Sequence, residues 1–227
     1  MIKTLYAKKD EVKIDKKEVF RYMSLGSSEP SEDIKKITKK CIEDVCCAAE
    51  YRACYDVFKI SRDDNGIIDL GFMKTSSKAL LKNLDGCFEV ILFAATAGAA
   101  VDRLIFKYSL ISPVYALAMQ SAGAAAIEGW CDLLCAEFKK SAENENNYLA
   151  PRFSPGYGDF ALDAQKNIFN VLDCPRKIGL SLTDSLLMTP SKSVSAVIGV
   201  TKTKKSCTKH GCDICQNTDC EFKVTEG

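Results

Sequence analysis

From Tyr108 to Ile127 the chain carries no charged residue, and a helix start lies inside that stretch. Ser112 can cap, and Pro113 suits the first helical position, where a missing N–H is no loss. A helix is predicted from there to about Lys140, ~40 Å long at 1.5 Å per residue. Such a helix belongs in a protein core or a membrane. Ser109, Ser112, Pro113, Gln120, Ser121 and Gly123 interrupt the run, and much of the rest is alanine, which contributes little insertion energy. The reading is a buried helix and no membrane segment.

The remaining elements follow from caps and periodicity. Residues 11–14 are predicted as a short strand and 15–24 as a short helix. Ser28 or Ser31 can cap a long helix with Pro30 in its first turn, and Glu32 and Asp33 complement its dipole. Ile34, Ile37, Cys41, Val45, Ala48 and Ala49 keep helical spacing, so that helix is drawn over 31–57. Ile68, Leu70 and Phe72 alternate as a strand, and Ser76 or Ser77 caps a helix through Leu84. Cys87 to Ala95 is an apolar run of strand length, broken at Thr96-Ala97-Gly98 before a helix to about Tyr108. A helix is predicted over 162–172, ending at Cys174-Pro175, and Lys177 to Leu182 reads as a strand. Val194, Ala196, Ile198 and Val200 alternate as a clear strand. Strands scattered among helices without a βαβ rhythm imply an α+β fold. The expectation is a single domain over 1–200, with long helices on a mainly antiparallel sheet, and a short Cys-rich tail over 201–227.

A hydrophobic fraction of 47% with 27% charged residues excludes wholesale disorder. A net charge of +1 argues against nucleic acid as partner, and the single His210 excludes chemistry that needs a histidine pair. The first twenty residues are rich in charge and lack the apolar core of a secretory signal, so a cytoplasmic location with reduced thiols is expected.

Arg152-Phe153-Ser154-Pro155-Gly156-Tyr157-Gly158-Asp159-Phe160 combines a guanidinium, a rigid proline, two glycines and aromatic rings. Arginine binds carboxylates bidentately, Pro-Gly makes a tight turn, and Tyr157 and Phe160 can stack on a flat ring or a cation. A surface loop with an aromatic plug is the other reading of the same residues.

The pattern Arg152-x-x-Pro155-Gly156-Tyr157 resembles the S-adenosylmethionine-binding loop in the activation domain of cobalamin-dependent methionine synthase. Lys177 to Ser185, with Leu182-Thr183-Asp184-Ser185, and Pro190-Ser191-Lys192-Ser193-Val194-Ser195 resemble two further family segments in the same order. The alanine-rich helix with Glu128 resembles the helix before the loop, so the likeness spans roughly 85–200. The chain departs after Tyr157, with Gly158-Asp159-Phe160-Ala161 where the multidomain synthases have Pro-Ala-Cys-Pro.

The resemblance implies a free-standing activation domain acting on a separate cobalamin-binding methyltransferase, either methionine synthase or a related corrinoid protein. In the family, cob(II)alamin is reductively remethylated from S-adenosylmethionine with an electron from a donor such as flavodoxin. It implies no catalytic side chain. Arg152 would hold the ligand's carboxylate, backbone atoms of Ser154 and Gly156 its polar groups, and Tyr157 would pack against it. Glu128 is a candidate for the ligand's amino or ribose groups, or else a paired helix carboxylate.

Twelve cysteines remain to be sorted. Cys41, Cys46, Cys47 and Cys54 are placed on the first long helix as small core hydrophobes, and Cys131 and Cys135 share a face of the second. Cys87 and Cys174 look solitary. Cys207, Cys212, Cys215 and Cys220 sit in a lysine-rich segment with almost no core-forming residues. Four thiolates so spaced can complete a zinc site or an iron–sulfur cluster. Redox-active thiols and a zinc knuckle are the alternatives, and a metal- or cluster-bearing redox partner is the competing function.

Overall fold

The computed structural model describes residues 1–25, 29–63 and 66–204. Along the chain run β1 (Lys3–Ala7), α1 (Lys16–Tyr22), α2 (Glu32–Ala48), β2 (Tyr51–Lys59), β3 (Ser61–Arg62), β4 (Ile68–Asp69), β5 (Lys74–Thr75), α3 (Lys78–Asn83), β6 (Cys87–Thr96), α4 (Ala99–Ser109), α5 (Pro113–Asn144), β7 (Tyr148–Leu149), α6 (Ala164–Leu172), α7 (Cys174–Ile178), β8 (Ser181–Leu182), β9 (Met188–Thr189) and β10 (Ser193–Thr201). The α+β class expected from the sequence is the one observed.

The apolar run at 87–96 becomes β6, flanked by β2 and β10 in an antiparallel sheet of order β1-β2-β6-β10-β7. Ile91, Phe93 and Ala95 face one helical layer, while Val90, Leu92 and Ala94 face another. Burial on both faces is why β6 reads as a continuous apolar run rather than an alternation. The first layer contributes Trp130, Leu134 and Phe138 from α5 and Cys41 and Val45 from α2. The second contributes Leu80 from α3, Ile168 and Leu172 from α6, and Cys174 and Ile178 from α7.

Helix α5 starts as predicted, with Ser112 Oγ accepting from Tyr115 N at 3.3 Å and Pro113 in the first turn. It runs beyond the expected Lys140 to Asn144. Among the described residues, no helix is long and apolar enough to cross a membrane. At Gly129 the N-terminal segment lies against this helix so closely that an added Cβ would collide with the Lys13 carbonyl.

Several expectations are corrected. No strand forms at 11–14; the N-terminal strand is β1, paired with β2 from Lys3↔Tyr55 to Ala7↔Tyr51. Helix α2, capped by Ser31, stops at Ala48 instead of continuing to 57. The segment beyond it holds Tyr51, Tyr55, Val57 and Phe58, and its backbone pairs with β6 along 52–59 and with β1 along 51–55. Cys54 is therefore a strand residue, and Cys47 is exposed rather than in the core. Cys174 is not solitary, since its Sγ lies 3.8 Å from that of Cys54. Pro175 opens α7 instead of ending α6, because Asp173 takes the left-handed conformation between them. Strand character at 177–182 is confined to Ser181–Leu182, and at 68–72 to Ile68–Asp69. The four tail cysteines, Cys207, Cys212, Cys215 and Cys220, lie outside the described residues. Among the described residues no group of three or more His, Cys, Asp or Glu side chains could hold a metal.

Candidate functional site

The 150–153 segment continues β7 along the edge of β10. Ala150 N donates to Gly199 O at 2.8 Å, and Phe153 exchanges two hydrogen bonds of 2.9 Å with Val197. Successive side chains on an extended segment point to opposite faces. Phe153 packs into the layer of α6 and α7, and Arg152 turns toward α5. There its Nη2 donates to Glu128 Oε2 at 2.6 Å. The two residues singled out in the sequence are thus brought together as an ion pair.

The pair is enclosed but reachable, with side-chain exposures of 26% for Arg152 and 37% for Glu128. Burial works against the guanidinium's charge, the Glu128 carboxylate favours it through charge and a hydrogen bond, and on balance Arg152 is held above its ordinary range. Its Nη1 is buried with no hydrogen-bond partner among the described residues. A buried charged donor without an acceptor is costly, so an acceptor brought by a ligand would be favoured there. Cys131 lies behind the pair, and burial pushes its thiol up, so it stays protonated at neutral pH.

The turn that follows is compact. Tyr157 N donates to Ser154 O at 3.3 Å, Phe160 N to Tyr157 O at 3.0 Å, and Gly156 N to Phe160 O at 2.7 Å. With its N–H engaged, Gly156 can offer a ligand only its carbonyl. Phe160 is 1% exposed and stacks at 6.2 Å from Phe153, so it is a core plug and not a surface for a ligand. Tyr157 stays 57% exposed, with its ring 6.3 Å from Phe153.

Tyr22 at the end of α1 is a neighbour that sequence spacing could not reveal. Burial first, and then the Glu128 carboxylate, raise its hydroxyl above the usual range. Arg21 lies 4.4 Å over the Tyr22 ring. More than a hundred positions separate Tyr22 from Glu128, and only the docking of α1 on α5 brings them near.

The fold defines the class. A solved structure, the reactivation domain of MetH bound to AdoHcy, superposes with a TM-score of 0.68, covering 90% of this chain and 80% of that one at 19% identity. Residues 90–216 match the family model of the vitamin B12 dependent methionine synthase activation domain, and the chain belongs to that family. The matched span contains α5 with Glu128 and the Arg152–Tyr157 loop. No curated protein matches the chain in sequence.

Proposed function

We propose that this chain binds S-adenosylmethionine at the 152–157 loop and serves the reductive remethylation of cobalamin on a separate protein. The observation that carries the reading is the Arg152–Glu128 pair at the edge of the sheet, inside the span that matches the family. The AdoHcy in the related reactivation domain supports the ligand class.

An amino-acid zwitterion complements adjacent positive and negative side chains. Arg152 would take the ligand's carboxylate, with Nη1 as the spare donor. Glu128, released from Arg152, would take the ammonium or a ribose hydroxyl. Tyr157 would cover the ligand from the open side, while the backbone of Ser154 and the Gly156 carbonyl would meet its polar groups. The protein contributes position, and the sulfonium already carries the reactivity. Cobalamin, held by a methionine synthase or related corrinoid methyltransferase, would supply the cobalt that takes up the electron and the methyl group. The electron would come from a donor such as a flavodoxin, in the cytoplasm.

A domain over 1–200 would carry this role, and 201–227 would be a separate tail. Cys207, Cys212, Cys215 and Cys220 would bind one zinc ion or iron–sulfur cluster there, on the strength of their spacing alone. Calorimetric titration of the full chain with S-adenosylmethionine tests the reading directly. No binding would refute it.

A further inference from the structure

The segment 150–153 hangs from β10, but the turn beyond it is held by α3. The Asp159 carboxylate accepts from Ser77 Oγ at 2.5 Å, from Lys78 N at 2.8 Å and from Ala79 N at 3.0 Å. These two N–H groups belong to the first turn of a helix, where backbone donors have no intrahelical acceptor. Ser77 Oγ itself accepts from Leu80 N at 3.1 Å, so the cap hydroxyl and Asp159 form one relay. Gly158 permits the approach: its φ is +55°, and a Cβ there would lie 2.8 Å from Ala79 Cβ. At the other end of the same helix, Asn83 Nδ2 donates to Pro151 O at 3.1 Å. The short helix therefore grips the chain on both sides of Arg152–Tyr157.

Helix α3 is itself well anchored. Leu80 and Leu84 are fully buried in the layer over β6, and Arg62 Nη2 donates to Leu84 O at 2.6 Å. A loop fixed before binding loses less freedom when the ligand arrives. The loop's own turn bonds cannot provide that, because they close within 154–160 and leave its placement against the sheet open.

We infer that α3 is a clamp that presets the loop, and that Asp159 is its positioning residue. The inference rests on the reading of 152–157 as the ligand loop. It assigns roles to Gly158 and Asp159, which directly follow Tyr157.

The test uses the full chain, Asp159→Asn and Asp159→Ala, with amide hydrogen exchange and calorimetry against S-adenosylhomocysteine. Asn keeps one acceptor but turns N–H donors toward the backbone of Lys78, so it is an intermediate case. Faster exchange should appear at 152–160 and 77–80 while β6 and β10 stay protected. Affinity should fall in the order Asp, Asn, Ala, by about tenfold or more for Ala. Loop exchange like that of the wild type, or loosening spread equally over β6 and β10, would overturn the clamp. Equal affinity of all three proteins would overturn the positioning role. A wild-type protein that binds no S-adenosylhomocysteine would refute the ligand reading instead, and exchange would still decide the clamp. Should Asp159→Ala fail to fold, Asp159→Asn and Asn83→Ala carry the same comparison.

Discussion

Arg152 and Glu128 are 24 positions apart, yet their side chains meet at 2.6 Å because one lies on a sheet edge and the other on the helix packed over it. Arg152→Ala should weaken binding of S-adenosylmethionine by ~1.5–3 kcal/mol, the range for a hydrogen bond to a charged group. Calorimetry on the folded variant checks this, and unchanged affinity would remove Arg152 from the site. Asp159 makes a pH prediction. Hydrogen bonds, led by that from Ser77, hold its carboxyl down to about 2 against an ordinary 3.8. A lowered folded-state value means that the carboxylate stabilises the fold at pH above about 4, and that this is lost as the pH falls through about 2. Urea midpoints of wild type and Asp159→Asn should therefore differ at pH 7 and converge near pH 2. A third prediction concerns the thiols. Burial pushes Cys41 up to about 11, and the Cys54 thiol and burial raise Cys174, whereas Cys47 is exposed. Thiolates are the reactive species. Alkylation of the native protein followed by peptide mapping should label Cys47 well before Cys41, Cys54, Cys131 or Cys174.

At the scale of elements, α5 organises the molecule. It packs against the sheet, α1, α2 and α4, and it presents Glu128 to the loop. Its neighbour Gly129 admits the Lys13 backbone. Gly129→Ala improves helix propensity by about 1 kcal/mol, but forcing the N-terminal segment away costs ~1–3 kcal/mol. The net change should be a loss of stability in chemical denaturation, and a stabilised protein would contradict the close approach. The caps of α5 and α3 were legible because Ser112-Pro113 and Ser77 act locally. The end of α2 was not, because residues 49–57 carry a pattern that either a helix or a strand can use, and pairing with β1 and β6 decides between them.

At the scale of the whole molecule, the described residues centre on a five-stranded sheet covered on both faces, with the candidate site at the edge where β7 and the loop meet α5. The proposed activity places cobalamin on a partner protein, and that is where it can be tested. Mixed with a cobalamin-loaded methyltransferase, a reductant and S-adenosylmethionine, the protein should shift the cobalt absorption to that of the methylated form. An unchanged spectrum with several corrinoid proteins, methionine synthase included, would argue against the role. Anaerobic purification with elemental analysis and a visible spectrum would test the tail. Four freely alkylated tail thiols without metal would exclude a zinc or iron–sulfur centre.

The sequence by itself determined the α+β class, the two central strands, the start of α5 and the loop motif, because capping, periodicity and turn chemistry act between near neighbours. Tertiary structure alone decided that 51–59 is a strand and that Cys54 meets Cys174. It also placed Tyr22 near Glu128, buried Phe160 while leaving Tyr157 open, and set Asp159 on α3. Each of these depends on groups far apart in the chain, and no local pattern records which distant partner will satisfy a backbone donor or cover a ring.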